Sequence, residues 1–244
     1  MNVKKILAMI LAIVLLMIAT IAGTIAWLTD DTQEVKNTFT VGDINIDLWE
    51  YELKADNTLD EGKKVQTNTN YKIVPGDHQP KNPTVTVEAK SEDCWVFIQV
   101  QEVNNTRADN DNDGVDETKV VEWTYDTTMW TKLEGPDNKG LSVYYLTDSY
   151  TTQTTNQDYE FMSEITYNDD LTKSELDALD GIDANGKTDT DAAKAEIAAR
   201  PQLNFKAFAV QKEAAGTKTG AEGVMTAWAE VPATAYLGYV ESST

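Results

Sequence analysis

The 244-residue chain carries 41 acidic and 20 basic side chains, for a net charge of −21, with a single histidine (His78) and a single cysteine (Cys94). Phosphate-binding surfaces must be basic, so this balance argues against nucleic acid and anionic lipid headgroups as partners. One cysteine makes no internal disulfide, and one histidine cannot furnish the usual zinc ligand sets, which removes most zinc-enzyme and triad chemistry.

Residues 1–26 differ in kind from the rest. Lys4 and Lys5 precede an apolar run over residues 6–21, which closes on Ala22-Gly23-Thr24-Ile25-Ala26. Thr24 and Ala26 are small enough for the −3 and −1 pockets of a signal peptidase, so the segment reads as an export signal cut between Ala26 and Trp27. Cleavage there leaves no membrane attachment. The competing reading is a retained anchor, since about 20 apolar residues span a bilayer. Export without paired cysteines fits a bacterial surface protein stabilised by its core.

Downstream, Phe39, Val41, Ile44, Ile46 and Leu48 alternate with polar residues, and Gly42 is the extra residue of a bulge, which predicts a strand. Residues 54–70 are polar without an apolar period and predict a loop. Val74-Pro75-Gly76-Asp77 is a type II turn signal. Residues 84–89 alternate, and residues 94–103 begin as an unbroken apolar run, the mark of a central strand. Further strands are predicted over residues 120–125, 141–146, 160–166, 202–210 and 235–240, and helices over residues 171–179, 188–200 and 221–230. Many short strands with few helices indicate an all-β antiparallel sandwich over residues 42–244, with insertions at about residues 104–118 and 168–200.

The sharpest chemical signal is Asp109-Asn110-Asp111-Asn112-Asp113-Gly114-Val115-Asp116-Glu117. Oxygens from Asp109, Asp111 and Asp113 at alternate positions, a glycine turn and the Val115 carbonyl suit a structural Ca²⁺ ion. Position 12 of such a loop is Val120, so closure falls to Asp116, Glu117 or Glu122. The other reading is a solvated acidic hairpin tip. Residues 180–186 repeat the pattern more weakly and read as a plain turn. His78 reads as an exposed loop residue and Cys94 as a small buried side chain, and no catalytic residue stands out.

Residues 23–30 (GTIAWLTD) followed by residues 37–48 (NTFTVGDINIDL) resemble the start of the TasA/camelysin family. The Pro75-Gly76-Asp77 turn with the two strands after it, and residues 203–213, are similar to later family segments; residues 104–200 are not covered. The resemblance implies a jelly-roll-like β-sandwich, processed by a dedicated SipW-type signal peptidase and secreted to the cell surface or extracellular biofilm matrix. It also implies self-association into filaments, or association with a homologous matrix subunit, through a freed N-terminal donor strand. Here that strand is residues 27–41, with Trp27, Leu28, Phe39 and Val41 as anchors; the alternative is that residues 27–36 are a flexible leader. Unpaired sheet edges accept added strands on general grounds, and head-to-tail addition yields filaments. The camelysin branch is described as a metalloprotease, yet no His-Glu-x-x-His helix is present. A third class is a surface adhesin or binding module, with Trp123, Trp130 and Tyr144 either lining a site or filling the core.

Overall fold

Strand pairing is antiparallel throughout the computed structural model, which describes residues 43–68, 71–107, 119–134, 141–179, 200–216 and 218–238. In chain order the strands are β1 (Ile46–Leu53), β2 (Leu59–Val65), β3 (His78–Pro80), β4 (Thr84–Val87), β5 (Cys94–Val103) and β6 (Val121–Trp123). They continue with β7 (Trp130–Lys132), β8 (Ser142–Leu146), β9 (Gln157–Glu160), β10 (Glu164–Tyr167) and β11 (Gln202–Gln211). Among the described residues two α-helices accompany them, α1 (Lys173–Leu179) and α2 (Gly220–Glu230). The sheet orders are β2-β1-β4-β9, β3-β10-β6 and β11-β5-β8-β7. All three sheets contribute to one core, through Ile46, Val85, Ile98, Val121, Ile165 and Ala209 among others. The antiparallel β-sandwich with short helical insertions that the sequence predicts is the architecture found.

The position of β5 explains why its first five residues are continuously apolar. Cys94, Val96, Ile98 and Val100 face the core between the sheets, whereas Trp95 and Phe97 face a second cluster beneath α2. A strand buried on both faces has no polar side to show in the pattern. The second cluster centres on Trp228, fully buried, whose ring stacks on Tyr236 at 5.2 Å and meets Phe97 and Phe208 at 5.2 and 5.5 Å. Helix α2 can approach because Gly223 lacks a side chain: a Cβ there would lie 3.1 Å from the Trp95 ring and 2.8 Å from the Lys218 carbonyl oxygen.

The structure departs from the sequence expectations in identifiable places. Residues 59–65, expected within a loop, form β2; Leu59, Asp60, Lys64 and Val65 pair with the end of β1, the register breaking across Glu61-Gly62-Lys63, while both faces stay largely in solvent, so no apolar period marks it. Residues 78–80 and 130–132 are strands too short to show alternation. The expected strand at 160–166 is two strands, β9 and β10, separated by Phe161-Met162-Ser163. No strand occupies 235–238: a 3-10 turn spans Ala233–Ala235, and the backbone of Leu237 is satisfied by a side chain instead, its N–H donating to Gln99 Oε1 at 2.9 Å and its carbonyl accepting from Gln99 Nε2 at 3.2 Å. Helices α1 and α2 agree with expectation; the helix expected at 188–200, Arg200 apart, the bulge at Gly42 and the turn at 180–186 lie outside the described residues. The turn at 74–77 is as expected, with Gly76 at φ 72° and the Asp77 N–H donating to the Val74 carbonyl at 3.0 Å.

Candidate functional site

The cleavage pair Ala26 and Trp27, the donor-strand anchors Trp27, Leu28, Phe39 and Val41, and the cation-loop residues Asp109, Asp111, Asp113, Val115 and Asp116 all lie outside the described residues. What the structure does place is the edges of the three sheets. Each sheet ends in two edges, and most are blunted. Strands β3, β6 and β7 have three residues each and β9 has four. Strand β2 has seven, but Asp60, Glu61, Lys63 and Lys64 charge it heavily, a feature that discourages edge pairing. Strand β11 differs. Its ten residues form a ten-pair ladder with β5 on one side, and among the described residues no strand pairs with the other.

Leu203 and Phe205, half-buried, pack against the core near this edge. Strands β1 and β11 approach within 8 Å between Cα atoms without a ladder between them. Face-to-face sheets lie roughly 10 Å apart, so this is a corner where two sheets converge unpaired. The described chain begins at one end of the same edge: the Asp43 carbonyl accepts from the Glu92 N–H at 3.1 Å, the Lys212 N–H donates to the Asp93 carbonyl at 2.8 Å, and the Gln211 amide donates to the Glu92 carboxylate.

The same corner buries a charged pair that the sequence reading missed. Glu50 follows Ile44, Ile46 and Leu48 in the inward phase of β1 and is 8% exposed. A carboxylate in that position requires a partner, which Lys81 supplies, Nζ to Oε1 at 2.7 Å. The lysine comes from the turn between β3 and β4, and its ammonium lies 5.0 Å from the Tyr71 ring centre and 5.2 Å from that of Phe205. Burial first, then the nearby Glu50 charge, raises the Tyr71 hydroxyl pKa well above the ordinary range. The signal available in the sequence was the phase of Glu50 within an otherwise apolar face.

The base of the acidic loop is firmly held. Thr106 bridges to Lys119, and Asn105 imitates a strand neighbour: its Oδ1 accepts from the Val121 N–H and its Nδ2 donates to the Val121 carbonyl, both at 2.8 Å. Glu102 accepts from Lys119, Asn105 and Trp123; burial opposes ionisation, but these three donors outweigh it and lower the carboxyl pKa. Arg107 grips Glu175 through two nitrogens at 2.9 and 3.2 Å. Glu122, one candidate for closing a cation loop, sits on β6 opposite Thr166. Among the described residues no three His, Cys, Asp or Glu side chains are grouped to hold a metal ion, and no helix is long and apolar enough to cross a membrane.

His78 lies on β3 rather than in a loop, exposed, with its Nδ1 3.0 Å from Thr166 Oγ1. Cys94 is fully buried, and desolvation raises its thiol pKa to about 12, the Asp93 charge adding to it. Trp130 and Tyr144 are core residues and Trp123 is half-buried, all three packed around Phe161 at 5.0 to 5.9 Å. They fill the core rather than line an open aromatic surface.

No family model and no curated protein matches the chain. Among solved structures it is similar to the pilus backbone (RrgB) from Streptococcus pneumoniae, with 16% sequence identity, 53% of this chain covered and a TM-score of 0.27. The match spans 47% of that chain, about half its length.

Proposed function

We propose that this chain is an exported structural protein of the cell surface or extracellular matrix that assembles by strand addition, with residues 27–41 of one copy pairing along the β11 edge of the next. The observation that carries the reading is that edge: ten residues long, free of a second neighbour among the described residues, and backed by Leu203 and Phe205. An added strand gains backbone hydrogen bonds along its length and places every second side chain against the apolar corner. Fifteen residues span about 50 Å when extended, and the segment is tethered at Asp43, so it can reach a second molecule. Trp27, Leu28, Phe39 and Val41 are its apolar anchors. A SipW-type peptidase would free the segment, and a structural Ca²⁺ ion held by residues 109–116 would order the loop whose base Asn105 and Arg107 fix.

The test compares the mature chain starting at Trp27 with a variant lacking residues 27–36, by size-exclusion chromatography and negative-stain microscopy. Filaments from the first and monomers from the second are expected. Monomers from both would sink assembly altogether; filaments from both would remove the N-terminal segment from the mechanism.

A further inference from the structure

A buried amine and a carboxamide meet on one carboxyl group at the corner between β1 and β11. The side chains of Lys81 and Glu50 are 9% and 11% exposed. While Glu50 Oε1 accepts from Lys81 Nζ at 2.7 Å, its Oε2 accepts from Asn68 Nδ2 at 2.9 Å. The Asn68 amide is oriented by two further bonds: Oδ1 accepts the Leu53 N–H at 2.8 Å, and Nδ2 donates to the Tyr51 carbonyl at 2.9 Å. The Tyr71 and Phe205 rings flank the lysine ammonium.

We infer that Lys81 and Asn68 react with each other, assisted by Glu50, to form a side-chain amide cross-link. Each element of an acyl transfer is in place. Glu50 takes a proton from the lysine ammonium, which frees the amine lone pair. The Nζ atom attacks Cγ of Asn68, and the Leu53 N–H is aimed at the Oδ1 atom that becomes negative as the tetrahedral centre forms. Glu50 passes its proton to Nδ2, the Cγ–Nδ2 bond breaks, and ammonia leaves. The proton remaining on Nζ goes to Glu50 and then to the departing ammonia. One Nζ–Cγ bond forms, one Cγ–Nδ2 bond is lost, and no oxidant, reductant or cofactor enters. Holding both reactants on one carboxyl group replaces an encounter in solution with a small side-chain movement. The product ties the segment after β2 to the β3–β4 connection beside β11, and the inference stands independently of filament assembly.

The test is mass spectrometry of the full purified chain, its N-terminus determined, with peptide mapping after denaturation. The expected intact mass is lower than the sequence mass by one ammonia, with a branched peptide joining residues 68 and 81 and no tryptic cleavage after Lys81. Lys81→Met, Asn68→Ala and Glu50→Gln should each restore the full mass and the linear peptides. Full mass in the unaltered chain after prolonged incubation, with cleavage after Lys81, would overturn the inference. So would ammonia loss confined to Asn68 without the branched peptide, the signature of succinimide formation. Because the unaltered chain alone decides the matter, a variant that fails to fold does not obscure the result.

Discussion

Arg107 and Glu175 show how single side chains set the response of this protein to acid. The guanidinium makes two hydrogen bonds to the carboxylate, and Thr172 donates both its backbone N–H and its hydroxyl to the same group at 2.7 Å. Arg107 first, with Thr172 reinforcing it, holds the Glu175 pKa at about 2, well below its ordinary 4.5. A carboxyl with a folded-state pKa below its unfolded value contributes stability that is complete above the unfolded value and is lost as pH falls toward the folded one. Arg107→Gln should therefore lower Tm near neutral pH and do so progressively less between pH 4.5 and 2. Thermal melts of both proteins across that range check this; a Tm difference as large at pH 2 as at pH 7 would contradict it.

At the scale of elements, α2 and the outer face of β5 depend on one missing methyl group. Gly223→Ala places a Cβ against the Lys218 carbonyl and the Trp95 ring, and backbone cannot yield as a flexible side chain would. Overpacking of this kind costs about 1–3 kcal/mol, and urea denaturation should show a lower midpoint. An unchanged midpoint would mean that α2 shifts without cost. Elements of this sort were legible where their signals are local. Thr172 and Glu175 form a capping box that marks the start of α1, the Thr172 hydroxyl accepting the Glu175 N–H at 3.3 Å; Pro75-Gly76 marks the turn; the apolar run at 94–98 marks a strand buried on both faces. The rest depends on what lies across space. Gln99 and Asn105 use side-chain amides to satisfy the backbones of Leu237 and Val121, so residues 235–238 carry a strand-like sequence without a strand. The Glu50–Lys81–Asn68 meeting joins three segments whose order in space no local pattern encodes.

For the whole molecule, charge and topology act together. The whole chain carries −21, and the mature chain starting at Trp27, without Lys4 and Lys5, carries −23, so in the proposed assembly subunits adding head to tail would approach against mutual repulsion. Raising salt from 10 to 150 mM shortens the screening length from about 30 to about 8 Å, and filament growth followed by light scattering should become faster. Growth that slows with salt would mean that attraction between charged groups drives the contact. Topology sets a second constraint, one of timing. Strand β5 is the wall shared by both hydrophobic clusters, yet its ten-pair partner β11 lies about a hundred residues later. A ribosome adding about 5–20 residues per second completes β11 some 5 to 20 seconds after β5. Until then Trp95 and Phe97, whose cluster is built mostly from residues 208–236, have no permanent shelter, so this second cluster closes only after that late segment has been made.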